Sequence, residues 1–214
     1  MKKDLSTEQK ILNAAKKVFL TKGMDGARMQ DIADEAGINK ALLHYYFRSK
    51  DKLFEQIFME VASAFLPRIF TILEASDTTL FEKIELFCHE YISQEIKTPY
   101  VPIFILNEIN RQPKAFLKKV LGNNKPPVSK VLAQVEKEIK AGIIKPVAPL
   151  QLMINTLSLC IFPFLACPMI QLITGMDNKE FNDMMEHRKK EVPRMIIRSI
   201  KKWFFYVSVN YLVK

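Results

Sequence analysis

Glycine is scarce in this chain, 6 residues in 214, and cysteine and tryptophan are scarcer, at 3 and 1. There is accordingly no glycine-rich loop to cradle a phosphate, and no nucleophile elbow. The three histidines, His44, His89 and His187, lie far apart. His89 and Glu85 stand at i and i+4 without a third ligand, so neither a metal nor a cofactor is expected. His187 sits beside Glu186 in a charged run and reads as solvated. The cysteines Cys88, Cys160 and Cys167 are odd in number and lack clustered spacing. On a single helix Cys160 and Cys167 would be about 10.5 Å apart in rise, beyond disulfide reach. They read as small core residues in a reducing compartment. Strand signals are nearly absent too: the one Asp-Gly pair, Asp25-Gly26, lies between helical segments. The opening MKKDLSTEQK carries no apolar stretch of a secretion signal, and a cytoplasmic location is expected. Together these absences argue against an enzyme, a secreted disulfide scaffold and a β-fold.

What is present is apolar and helical. Hydrophobic residues make up 49% of a chain long enough for one or two domains with a proper core. The net charge of +9 favours an anionic partner. Its distribution is uneven: residues 1–65 hold 11 Lys/Arg against 9 Asp/Glu, and the excess concentrates between Arg188 and Lys202. Placement of charge therefore says more than its total.

The stretch from Arg28 to Phe47, RMQDIADEAGINKALLHYYF, reads as a helix-turn-helix. Two short helices that cross steeply need a small residue at their contact, and Ala33 supplies it. The tight turn needs a residue tolerant of positive φ, and Gly37 supplies that. Ile32, Ala36, Ile38, Leu43 and Phe47 then recur at helical spacing and tie the pair to a third helix. Left outward on the second helix are Asn39, Lys40, Ala41, Leu42, His44, Tyr45 and Tyr46, a surface suited to a major groove. Arg28, Lys40, Arg48, Lys50 and Lys52 surround it, with Asp31, Asp34 and Glu35 turned away. An ordinary helical hairpin with a glycine turn satisfies the same spacing.

The flanks discriminate. Glu8 to Lys22 carries Ile11, Leu12, Ala15, Val18 and Phe19 as an amphipathic helix stopped by Gly23. Downstream, Ser49 to Leu53 reads SKDKL, where Ser49 or Asp51 can cap a new helix and leave the lysines free. On these residues the chain resembles the TetR family of one-component bacterial regulators. The matching pattern is Ile11-Leu12-x-Ala14-Ala15 with Phe19, Gly23, Asp31-Ile32-Ala33-x-x-Ala36-Gly37-Ile38, and Leu43-x-x-Tyr46-Phe47-x-Ser49-Lys50-x-x-Leu53. The resemblance covers roughly residues 5–65. Two departures bear on the operator: Arg28 stands where the family often has a capping Thr. In the recognition helix, Ala41-Leu42-Leu43-His44 replaces the frequent Gly-Thr-Leu-Tyr. The resemblance, with outward placement, assigns Lys50, His44 and Tyr45 to phosphates. Gln30, Asn39, Lys40 and Leu42 are expected nearest the base edges.

Beyond the motif the chain reads as a helical body. A long helix from Asp51 to about Ala75 contains Pro67, expected to kink or break it. Further helices are expected over Thr79–Ile96, Val101–Asn110, Val128–Lys140 and Leu150–Ile173. Lys179 to Lys202 makes the last, with Pro193 as a kink. Leu150–Ile173 is long and apolar, but its polar residues and Pro163 and Pro168 favour a buried, broken helix over a membrane span. The apolar tail Trp203–Val213 is too short to cross a bilayer and reads as packing on the body or a second subunit. Pockets need shape and apolar lining more than a motif. Phe65, Phe87, Tyr91, Phe104 and Phe162 come from four expected helices, with Met153 and Met169 as deformable lining. Asn107 and Glu108 are placed as polar groups near the cavity, although Glu108 can equally pair with Arg111 at the surface.

The resulting expectation is an all-α protein with a three-helix DNA-binding domain over residues 5–65 and a ligand-sensing and dimerisation domain over 66–214. Its partners are a double-stranded DNA operator, a second copy of itself and a small apolar effector, without a membrane. One short helix reads only a few base pairs, so two heads must cooperate. The resemblance implies a dimer interface from the last two long helices, here Leu150–Ile173 and Lys179–Lys202. Two other classes stay open: a DNA-organising protein without sequence preference, and a helical carrier or enzyme with a vestigial motif.

Overall fold

The computed structural model describes residues 6–99, 101–111, 114, 118, 121 and 126–202, so Trp203–Val213 lies outside the described residues. Helix α1 spans Thr7–Gly26, α2 Met29–Ala36, α3 Lys40–Tyr46 and α4 Lys50–Glu74. Ser6 caps α1 by accepting from the Gln9 N–H at 3.2 Å. Gly23, at φ 67° and ψ 175°, interrupts its regular geometry, at the point where glycine ends the amphipathic pattern. Helix α2 ends with Gly37 in the left-handed region, φ 67° and ψ 34°. The Ile38 N–H reaches Ala33 O at 3.0 Å and the Gly37 N–H reaches Asp34 O at 3.1 Å. Those two bonds satisfy the carbonyls that a helix end leaves open, and a side chain at 37 would strain them.

The head core is closed. Ile11, Ala15, Phe19, Ile32, Ala33, Leu43, Leu53, Phe54 and Ile57 are all fully buried. Each large one contributes about 1.5–3 kcal/mol by leaving water. Phe19 and Phe54 meet edge-on at 5.1 Å, joining α1 to α4. Around the rim, Lys17 pairs with Glu35 at 2.6 Å, Lys22 with Asp31 at 2.9 Å and Lys16 with Glu60 at 2.8 Å.

The body contains α5 (Leu80–Lys97), α6 (Val101–Arg111), α7 (Val128–Lys140), α8 (Pro149–Leu165), α9 (Cys167–Thr174) and α10 (Asn178–Ile200). Helix α5 runs through its middle, packed against α4, α8 and α10. Its N-terminus is set by a reciprocal cap: Thr79 accepts from the Glu82 N–H, and Glu82 accepts from the Thr79 N–H. A second such cap, Asp177 with Glu180, opens α10. Leu80, Ile84, Cys88, Ile92, Cys160, Phe164, Phe181, Met185 and Ile196 form the body core. Among the described residues there is no strand, only a lone antiparallel bridge between Ile144 and Lys201.

The prolines divide by context. Pro67 and Pro193 lie inside continuous helices, so neither breaks its segment. The apolar stretch after Leu150 does break: α8 and α9 are bent by 63° where they meet, just before Pro168 in the first turn of α9. Pro163, inside α8, cannot donate to Leu159 O. Arg188 of α10 does so instead, with Nε at 3.0 Å and Nη2 at 2.9 Å. This apolar stretch is not simply buried, however. Leu152, Thr156, Cys160, Pro163 and Phe164 face the core, while Leu150, Ile154, Leu157, Phe162, Met169, Leu172 and Ile173 are exposed. Helix α4 is long and apolar enough to cross a membrane by length and composition. In the fold it packs against α1, α5 and α7.

Candidate nucleic-acid interface and internal cavity

Helix α3 is held from beneath by Leu43, fully buried, and by Phe47 just after its end. Lys40, Ala41, Leu42, His44, Tyr45 and Tyr46 are exposed on it. Tyr45 is the most prominent, 82% exposed, and meets the Tyr46 ring edge-on at 5.5 Å. Arg28 and Gln30 are exposed on the neighbouring α2 segment. Gln30 donates to Asp34 Oδ1 at 2.7 Å. Asp31 accepts from the Arg28 N–H at 3.0 Å and pairs with Lys22, which holds its carboxyl below the usual carboxylate range. The end of α2 that lacks a capping Thr is thus closed from the other side, by Asp31.

Two side chains read as DNA-contacting are engaged within the fold. Asn39 caps α3, its Oδ1 accepting from the Leu42 N–H at 2.7 Å. Lys50 is half-buried rather than free. Its Nζ donates to Met24 O at 2.7 Å, Ala27 O at 3.1 Å and Asp25 O at 3.4 Å. The ammonium thereby closes the carbonyl end of α1, where a cation is favoured by unpaired C=O groups. Lys52 is not free either, reaching Glu55 at 3.4 Å.

The body holds a partly open cavity of about 410 Å³ between α4, α5, α6, α7 and α8. That size suits a small organic molecule. Its wall is mainly apolar and includes Phe65, Phe87, Tyr91 and Met153. Tyr91 lies 5.7 Å from the Phe65 ring and 5.5 Å from the Phe87 ring, centre to centre. Burial pushes the Tyr91 phenol well above its ordinary range. Phe162 and Met169 do not line the cavity: they are 56% and 51% exposed, on the outer side of α8 and α9. Phe164, two residues from Phe162 and so on another face, packs against Phe181 at 5.9 Å instead. The side chains of Phe104, Asn107 and Glu108 lie outside the described residues.

The pocket has polar groups that the sequence did not single out: Lys83, Gln94, Glu95 and Thr156. The signal was available for Glu95, since Phe87, Tyr91 and Glu95 follow one another at i, i+4 and i+8 on one helix face. Near the head, the cavity wall and the head core share residues. Phe58, Ala62, Leu66, Val101 and Ile105 belong to both. Val101 and Ile105 come from α6, so a body helix packs directly into the head. No group of three or more metal-ligating side chains occurs among the described residues, and His89 lies beside Glu90 at 3.8 Å.

A closed helix-turn-helix with an exposed second helix, carried on a helical body with an internal cavity, defines the class: a DNA-binding regulatory protein. The comparisons with known proteins agree. Residues 11–57 match the family described as bacterial regulatory proteins, tetR family. The biofilm operon icaADBC negative transcriptional regulator IcaR of Staphylococcus aureus (strain Newman) is 26% identical over 141 residues, 64% of this chain and 74% of that protein. The transcriptional regulator RutR of Escherichia coli (strain K12) is 24% identical over 194 residues, 89% of each chain. Among solved structures, the hemolysin II transcriptional regulator HlyIIR superposes with a TM-score of 0.60 at 20% identity, covering 92% of this chain and 98% of that one. The ketosteroid transcriptional regulator KstR2 of Mycobacterium tuberculosis gives a TM-score of 0.68 at 14% identity, over 94% and 98% of the chains. Over residues 11–57 the chain is similar to the TetR family, and over nearly its whole length it shares the fold of these solved regulators.

Proposed function

We propose that the protein is a homodimeric repressor that binds a near-palindromic operator and is released when a small, largely apolar molecule enters the body cavity. Residues 5–65 serve as the DNA-binding domain and 66–214 as the sensing and dimerisation domain, divided within the continuous helix α4. Lys40 and Leu42, with Gln30 from α2, face base edges; His44, Tyr45, Tyr46 and Arg28 face the backbone. Asn39 and Lys50 act by holding α3 and the end of α1 in place. The dimer forms over Leu150, Ile154 and Leu157 of α8, which recur at i, i+4 and i+7, with Met195 of α10 also exposed. That stripe is apolar and open in one chain, which suits burial against its own copy.

The observation that carries the regulatory reading is the shared wall between cavity and head core. Phe58, Ala62, Leu66, Val101 and Ile105 cannot shift to admit a ligand without disturbing packing under the DNA-binding helices. A ligand that fits only one arrangement would shift the population between head spacings. The test uses Met153→Trp, which fills the cavity from α8, away from the shared wall. Operator selected from random DNA is titrated by fluorescence anisotropy, with and without a small-molecule extract of the source cells. The expected result is release of the wild type by the extract, with Met153→Trp bound to operator but insensitive. Equal release of both proteins would overturn the cavity as the sensing site.

A further inference from the structure

Most polar groups on the cavity wall are already spent on the protein itself. Lys83 donates to Leu73 O at 3.1 Å, Gln94 to Thr98 Oγ1 at 3.2 Å, and Thr156 to Leu152 O at 2.7 Å. Glu95 is different. It is only 3% exposed, and its Oε2 has no hydrogen-bond partner among the described residues. The other charged residue among the described wall residues, Lys83, stands twelve residues earlier on α5, about 18 Å away along the axis. A buried carboxyl without a counter-charge is costly, and such a group in a native fold calls for a function.

We propose that Glu95 anchors a lipophilic amine, bound as its ammonium, with the amine's apolar body among Phe65, Phe87 and Tyr91. This rests on the reading of the cavity as the effector site and names the chemical class of the effector. The ammonium supplies the missing donor and counter-charge together, and the neighbouring rings favour a cation at their faces. Apolar contact alone would leave Oε2 unsatisfied, so a neutral hydrocarbon suits this wall less well.

The surroundings of Glu95 bear on the proton balance. The ionisable residues of its setting are Tyr91 on its own helix, Cys160 on α8 with Cys88 beside it, and Arg188 of α10, which acts on Cys160 and is held on Leu159 O. The cavity-lining residues of α4 and α7 are apolar, as are Val101 and Ile105 of α6. Burial alone pushes Glu95 up to about 8. At neutral pH the carboxyl of the empty cavity therefore holds its proton. An entering ammonium converts it to carboxylate, and the proton passes to buffer.

The experiment compares naphthylmethylamine with naphthylmethanol, a near-isosteric neutral partner, by calorimetry on the full-length protein at neutral pH in buffers of different ionisation enthalpy. The amine should bind wild type at least about tenfold more tightly than the alcohol. It should also release close to one proton per molecule bound, while the alcohol releases none. In Glu95→Gln the preference should fall below about twofold, with alcohol binding retained. Equal binding of both compounds to wild type, or an amine preference that survives in Glu95→Gln, would overturn the anchor and leave the cavity as a binding site. Binding of neither compound would count against both readings. Should Glu95→Gln not fold, proton release by the wild type decides alone.

Discussion

The contact between Arg188 and Leu159 O supports a quantitative prediction about the α8–α10 pair. Pro163 has no N–H, so the carbonyl four residues earlier loses its helical partner. The Arg188 guanidinium takes its place through two bonds of 3.0 and 2.9 Å. Hydrogen bonds from a charged donor contribute about 1.5–3 kcal/mol, and an unsatisfied half-buried carbonyl costs about 1–3 kcal/mol. Arg188→Met keeps most of the side chain's apolar contact and removes both bonds, so it should destabilise the fold by about 2 kcal/mol. In a Pro163→Ala background the new N–H reaches Leu159 O, and the same Arg188→Met change should then cost less than about 1 kcal/mol. Chemical unfolding of the wild type, both single variants and the double variant gives the coupling, expected at about 1–2 kcal/mol. Strict additivity of the two changes would refute the substitution of guanidinium for proline's missing donor.

Because the folded Glu95 carboxyl titrates at about 8 against an ordinary 4.5, the native state binds more protons than the unfolded one between those values. Stability should therefore be full below about 4.5 and fall as pH rises towards about 8; in Glu95→Gln that fall should shrink, and an unchanged pH profile would contradict it. Ile154→Glu with Leu157→Glu should yield a folded monomer by sedimentation that has lost tight operator binding; a persisting dimer would move the interface elsewhere. Lys50→Ala should lower head stability by about 1.5–3 kcal/mol, the worth of charged hydrogen bonds, without changing the dependence of binding on salt. Lys40→Ala should relax base preference at one symmetric pair of positions in the selected sites, and an unchanged site profile would remove Lys40 from the base edges.

The head was legible in the sequence because its constraints are local and dense. Gly37 in a left-handed turn, Ala33 at a helix contact and Gly23 at the end of the first amphipathic run each leave a mark at fixed spacing. The body was legible in its helix order but not in its faces. Pro67 can kink or break a helix by its sequence alone, yet it sits inside a continuous one, as Pro193 does. Phe162 and Phe164 look alike in sequence, and only packing sends one outward and the other against Phe181. Glu95 shares a helix face with Phe87 and Tyr91, but only the closure of distant segments over that face shows that it is buried. Lys50 reads as free in the pattern, but it binds backbone carbonyls 23 to 26 residues away, and such a contact leaves no signature in sequence spacing.

In the proposed function, two copies of the exposed α3 surface read DNA together. Selection of binding sites from random duplex DNA by the full-length protein, with the mass of the bound species measured on the enriched sequence, tests it most directly. The expected result is a two-fold symmetric motif whose half-sites are about one helical turn apart, or a multiple of it, occupied by an even number of chains. Enrichment of no motif, or of an unpaired half-site bound by a single chain, would contradict it.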